Sequence, residues 1–126
     1  MSISIVNTSD APAPIGPYSQ AVQAGGFLFI SGQVAINPAS GNVEAADVAG
    51  EAEQVMKNLK AILEKANLSF AHVVKTTIFL SDMNDFGTVN TVYSGYFTAN
   101  FPARETVAVK GLPKNVRVEI SMIALV

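Results

Sequence analysis

The sequence predicts an α+β fold in which one mixed β-sheet carries two helices packed on a single face. Three observations predict it. Segments of period-two alternation stand near both ends and in the middle, and one long segment repeats its apolar residues at spacings of three and four. Gly, Pro and Asn clusters separate these runs, so strands and helices interleave in the order ββ(β)-α-β-α-ββ. At 126 residues the chain is a single domain, 1–126, long enough to bury a sizeable core.

Ser2–Val6 alternates as a short first strand. Residues 10–17 hold three prolines, which remove donors and bias their neighbours to extended geometry, so they form a loop held against the body. Tyr18–Ala24 and Phe27–Val34 read as two strands joined across Gly25-Gly26, a hairpin-turn dipeptide. Asn37–Asn42 is a turn-rich loop. From Asp47 to Ala66, Val48, Ala52, Val55, Met56, Leu59, Ile62, Leu63 and Ala66 mark one face of a helix, with Asp47 as N-cap and lysines near the C-terminus. Val73–Ser81 alternates as a strand. Asp82-Met-Asn-Asp85 opens a second helix near Phe86–Phe97, with Phe86, Val89, Val92 or Tyr93, and Tyr96 toward the core.

The last quarter reads as a β-hairpin turning at Gly111–Asn115. If Val107 and Val109 share the core face with Val118 and Ile120, pleat parity puts Arg104, Thr106, Arg117 and Glu119 together on the opposite face. An arginine and a glutamate on one face are parts for a site that binds a carboxylate and activates water; a surface ion pair is the plain alternative. The Glu119 face also carries Ile123 and Leu125, an apolar row that a second copy of the chain would cover.

Hydrophobic residues make up 49% and charged residues 14%, a low charge density that also fits surface hidden between subunits. The net charge of −2 offers no attraction to nucleic acid or anionic lipid. The absence of cysteine excludes disulfides, thiolate catalysis and cysteine-ligated metal. No run approaches membrane-spanning length and the start has no basic leader, so a cytoplasmic location is expected. Neither a Gly-x-x-x-x-Gly-Lys-Ser/Thr loop nor a Gly-x-Gly-x-x-Gly occurs, and the acids form no tight metal cluster. His72, the only histidine, stands at a helix-to-strand junction, and Lys75 on its strand reads as solvated or ion-paired.

Six separated blocks carry a more specific signal: Ile15-Gly16-Pro17-Tyr18-Ser19-Gln20, Ser31-Gly32-Gln33, Asn58-Leu59-Lys60-Ala61, Val74-Lys75-Thr76-Thr77, Val89-Asn90, and Pro102-Ala103-Arg104 with Val118-Glu119-Ile120. In this order they resemble the Rid (reactive intermediate deaminase, YjgF) family over almost the whole chain. The resemblance implies a chorismate-mutase-like α+β fold and a homotrimer with an internal β-barrel and clefts between subunits. It also implies hydrolysis of 2-imino acids, or their enamine tautomers, to 2-keto acids and ammonia. Such imines are released by pyridoxal-phosphate dehydratases.

On that resemblance Arg104 clamps the substrate carboxylate and Glu119 orients water and moves protons. Tyr18, Ser31, Gly32, Asn90 and Thr106 complete the substrate site, with no metal or cofactor. Thr106 occupies the place where the family often has cysteine, and Glu105 follows the arginine where a small residue is usual. In a regular strand Glu105 points away from Arg104 and is salt-bridged, displaced by a bulge or exposed near a rim; a carboxylate within ~4–6 Å of Arg104 would compete with substrate. Two other readings are a non-catalytic trimeric binder of small carboxylates and a ribonuclease or translation inhibitor. Acidic balance, one histidine and the lack of a basic stripe with stacking aromatics weigh against the last. The preferred imino acid side chain is left open.

Overall fold

A computed structural model describes residues 2–126. Among the described residues there are eight strands: β1 (Ile3–Val6), β2 (Ala21–Ala24), β3 (Phe27–Gln33), β4 (Ile36–Asn37), β5 (Asn42–Val43), β6 (Val73–Leu80), β7 (Ala103–Ala108) and β8 (Val118–Leu125). The helices are α1 (Val48–Lys65) and α2 (Phe86–Ser94). Six strands form one sheet in the order β1-β2-β3-β8-β6-β7, and β4 and β5 form a separate small ribbon.

Helix α1 follows its sequence pattern closely. Asp47 has extended backbone, and its side chain accepts the Gly50 N–H at 2.8 Å, satisfying one donor left over at the helix start. Its apolar stripe buries Val55, Met56, Leu59, Ile62 and Leu63 against Leu28, Ile30, Ile78, Leu80, Ile120 and Met122 of the sheet. Helix α2 buries Val89 and Tyr93, while Phe86 stays exposed. The Tyr96 hydroxyl donates to Glu53 at 2.6 Å and ties the two helices.

Between β2 and β3 the chain reverses at Gly25 and Gly26, whose φ values of 58° and 81° favour glycine. Tyr18 lies before β2, in the loop that follows the prolines, rather than in a strand. The Asn37–Asn42 loop is the tip of the β4–β5 ribbon.

The C-terminal hairpin does not form. β7 pairs in parallel with β6, with Thr76 opposite Arg104 and Ile78 opposite Thr106. β8 inserts between β3 and β6 and is antiparallel to both. The turn-forming residues 111–115 therefore lead over to the centre of the sheet instead of reversing the chain beside β7. Face assignments change with the pairing. Val118, Ile120 and Met122 are buried as expected. Arg104 and Thr106, however, lie on the helix-covered face beside Thr76 and Ile78, while Val107 shares the outer face with Phe79 and Glu119. The outer face carries the exposed Phe27, Phe29, Val107 and Leu125. Among the described residues, no helix is long and apolar enough to cross a membrane.

Candidate active site

Two groups of polar residues are built on the two faces. The first surrounds Glu119. β3 gains one residue against β8 between Ile30 and Gln33, a bulge that places Ser31 and Gly32 beside Glu119. A Cβ on Gly32 would run into the Glu119 carboxylate, 2.8 Å from its Cδ, so any larger residue there must displace the Glu119 side chain. Ser31 donates its hydroxyl to the Ser19 carbonyl at 2.6 Å and its N–H to the Gln20 carbonyl at 2.9 Å. The Tyr18 hydroxyl accepts the Ile15 N–H at 3.2 Å. A cavity of about 460 Å³ runs between Tyr18, Ser31, Gly32 and Glu119, walled by Pro12, Ile15 and Pro113. Burial pushes the Glu119 carboxyl above the ordinary carboxylate value.

The second group holds Arg104. Its Nη1 donates to the Asn90 side-chain oxygen at 2.8 Å. The guanidinium carbon lies 5.0 Å from the Tyr93 ring centre and 5.7 Å from that of Phe86. Phe86, Asn90 and Tyr93 are spaced by four and three residues, which lines them up on one side of α2. Tyr93 is fixed in turn by donating its hydroxyl to Thr76 at 3.0 Å. Among the described residues, no carboxylate pairs with Arg104, and a cavity of about 300 Å³ lies beside it, lined by Asn90, Tyr93, Phe101 and Pro102. Thr106 lies near Arg104 and Asn90 but outside this cavity, its Oγ1 buried with no hydrogen-bond partner.

The structure thus brings Tyr18, Ser31, Gly32 and Glu119 together, and separately Asn90, Arg104 and Thr106. It does not bring the two groups together within one chain. Glu105 points to the outer face, 3.2 Å from Lys75 and 2.7 Å from the Thr77 hydroxyl. These partners hold its carboxyl below the usual range. Of the three expected arrangements Glu105 takes the salt-bridged one, pointing away from Arg104 as adjacent residues of a regular strand do.

Sequence reasoning assigned Phe86 and Tyr93 to packing and missed that they cradle Arg104; their spacing with Asn90 was the available signal. It also gave no role to Gln20, which lines the Glu119 cavity. Among the described residues no group of acids and histidine is placed to hold a metal ion.

One mixed six-stranded sheet with two helices, a carboxylate in one cavity and a cradled arginine on the other face, makes this an α+β domain. The family described as endoribonuclease L-PSP matches residues 8–126, and the chain belongs to it, the Rid/YjgF/L-PSP family. The mouse protein named 2-iminobutanoate/2-iminopropanoate deaminase is 51% identical over 121 residues, covering 96% of this chain and 90% of that one. A Rid-family protein from Yersinia pestis superposes with a TM-score of 0.97 at 44% identity, covering 99% of this chain and 100% of the other. The TdcF protein of E. coli, solved with bound serine, gives 0.93 at 42% identity over 98% of both chains.

Proposed function

We propose that this chain hydrolyses reactive 2-imino acids, or the enamines in equilibrium with them, to 2-keto acids and ammonia. The observation that carries the reading is Arg104: a guanidinium held by Asn90 and two aromatic rings, with no carboxylate partner among the described residues, beside a cavity. Its counter-charge is the substrate carboxylate, which the planar donor fork binds through two hydrogen bonds. One charge-assisted contact of this kind contributes about 1.5–3 kcal/mol.

The protonated imine carbon is already electrophilic. Glu119 accepts a proton from water as the water oxygen bonds to that carbon. The proton then passes to the nitrogen; as the C–N bond breaks, Glu119 takes the hydroxyl proton, so ammonia leaves as the C=O forms, and Glu119 then gives that proton up to the departing ammonia or to solvent. Proton transfer of this kind contributes about 10²–10⁴-fold. The relatives named as imine deaminases and the serine-bound relative support an amino-acid-sized substrate.

The complete site forms between copies of the chain in a homotrimer with an internal barrel. Arg104 of one copy faces the Glu119 cavity of the next. Exposed Phe27, Phe29, Val107 and Leu125 on the outer face support burial by another copy.

The testing experiment generates imine with a threonine dehydratase in the presence of semicarbazide, which traps unhydrolysed imine. Wild type suppresses semicarbazone formation and Arg104→Ala does not. Arg104-dependent binding of 2-keto acid without turnover would replace the deaminase with a carboxylate binder.

A further inference from the structure

The proline-rich loop before β2 cannot satisfy its own backbone. Pro12, Pro14 and Pro17 have no N–H, so carbonyls in this segment need donors from elsewhere. One side chain supplies them. Gln20, 2% exposed, donates from Nε2 to the carbonyls of Thr8 at 3.0 Å, Ala11 at 3.3 Å and Pro12 at 2.9 Å. Its Oε1 accepts the Thr8 N–H at 2.8 Å. The anchored loop places Pro12, Ala13 and Ile15 on the wall of the Glu119 cavity, opposite Ser31 and Gly32. The Gln20 carbonyl also accepts the Ser31 N–H, so one residue ties both walls together.

We infer that Gln20 is a positioning residue: by holding the loop it sets the width of the Glu119 cavity and thereby which imino acid side chains are admitted. The inference rests on the deaminase reading. Gln20 touches neither proton transfer nor the carboxylate clamp, so its loss acts on substrate affinity and selectivity while the chemical step persists.

The test compares wild type, Gln20→Leu and Gln20→Glu. Gln20→Glu keeps the size and the acceptor for Thr8 but turns the donor into an acceptor facing three carbonyls. Imines are generated in situ by an amino-acid oxidase from 2-aminobutanoate (small) and leucine (large). In both variants KM for the small imine rises about tenfold with kcat within about threefold, and the preference between the two imines narrows. Hydrogen exchange at the Thr8 amide accelerates in Gln20→Leu, a readout independent of turnover. KM within about twofold of wild type in a folded variant, or a fall in kcat at unchanged KM, overturns the inference. Wild type inactive on both imines overturns the deaminase reading instead; slow Thr8 exchange in Gln20→Leu would then also overturn the anchoring.

Discussion

Arg104 and Glu119 stand on opposite faces of the same sheet, on strands separated by β6. One chain therefore holds both halves of the proposed site but cannot close them on one ligand.

Subunit mixing tests this directly. Arg104→Ala and Glu119→Gln should each be inactive alone. Unfolded and reassembled together at equal amounts, they should regain about a quarter of the wild-type sites, because one interface in four pairs an intact arginine with an intact glutamate. The check is imine-hydrolysis rate against mixing ratio. No recovery from correctly assembled mixtures would place both groups in the same copy's site.

Glu119 links activity and stability to pH in opposite directions. Its folded-state pKa is raised above the ordinary value of 4.5 by desolvation. Acting ionised, it should lose activity as pH falls through that raised value. Between the ordinary and raised values the native state binds more protons than the unfolded chain, so stability falls as pH rises through this window. Glu119→Gln should then lower kcat by about 10²–10⁴-fold while raising the Tm at neutral pH. Thermal melts of both proteins from pH 4 to pH 8 would show the difference growing toward neutrality.

Gly32 leaves just enough room for the Glu119 carboxylate beside it. Gly32→Ala should push the Glu119 carboxylate aside and reduce kcat by about 10²-fold, the cost of misplacing a reacting group by about 1 Å. A variant of unchanged activity would mean that Glu119 moves without consequence.

Glu105 faces away from Arg104 and pairs with Lys75. Glu105→Ala should leave kcat/KM for 2-iminobutanoate within about twofold of wild type. A large increase would reveal competition for the arginine that the sheet register excludes.

Much of the architecture was legible in the sequence, because periodicity reports local geometry. Helix α1 and its Asp47 cap, the Gly25-Gly26 reversal and the alternation of β6 and β8 all lie within a few residues of their expected places. The C-terminal pairing was not legible. Alternation says that residues 103–108 and 118–125 are extended but not which strands they join, and a Gly-Pro-Asn turn serves a crossover as well as a hairpin. That one pairing error moved Arg104 and Thr106 to the wrong face. The six sequence blocks nevertheless named residues that cluster in space, in two groups rather than one. The anchoring role of Gln20 depends on carbonyls of the loop at residues 8–12, which no periodic pattern encodes.

Strand order also governs when the molecule can exist. β8 joins β3 on one side to β6 on the other, so the β1–β3 unit and the β6–α2–β7 unit share no sheet hydrogen bonds without it. During synthesis these two pieces emerge first, each with an open strand edge, and wait for residues 118–125 to bridge them. The keystone of the sheet is its latest-made strand, which also carries Glu119 and part of the apolar outer face. Closure of the sheet therefore depends on the same eight residues that carry Glu119.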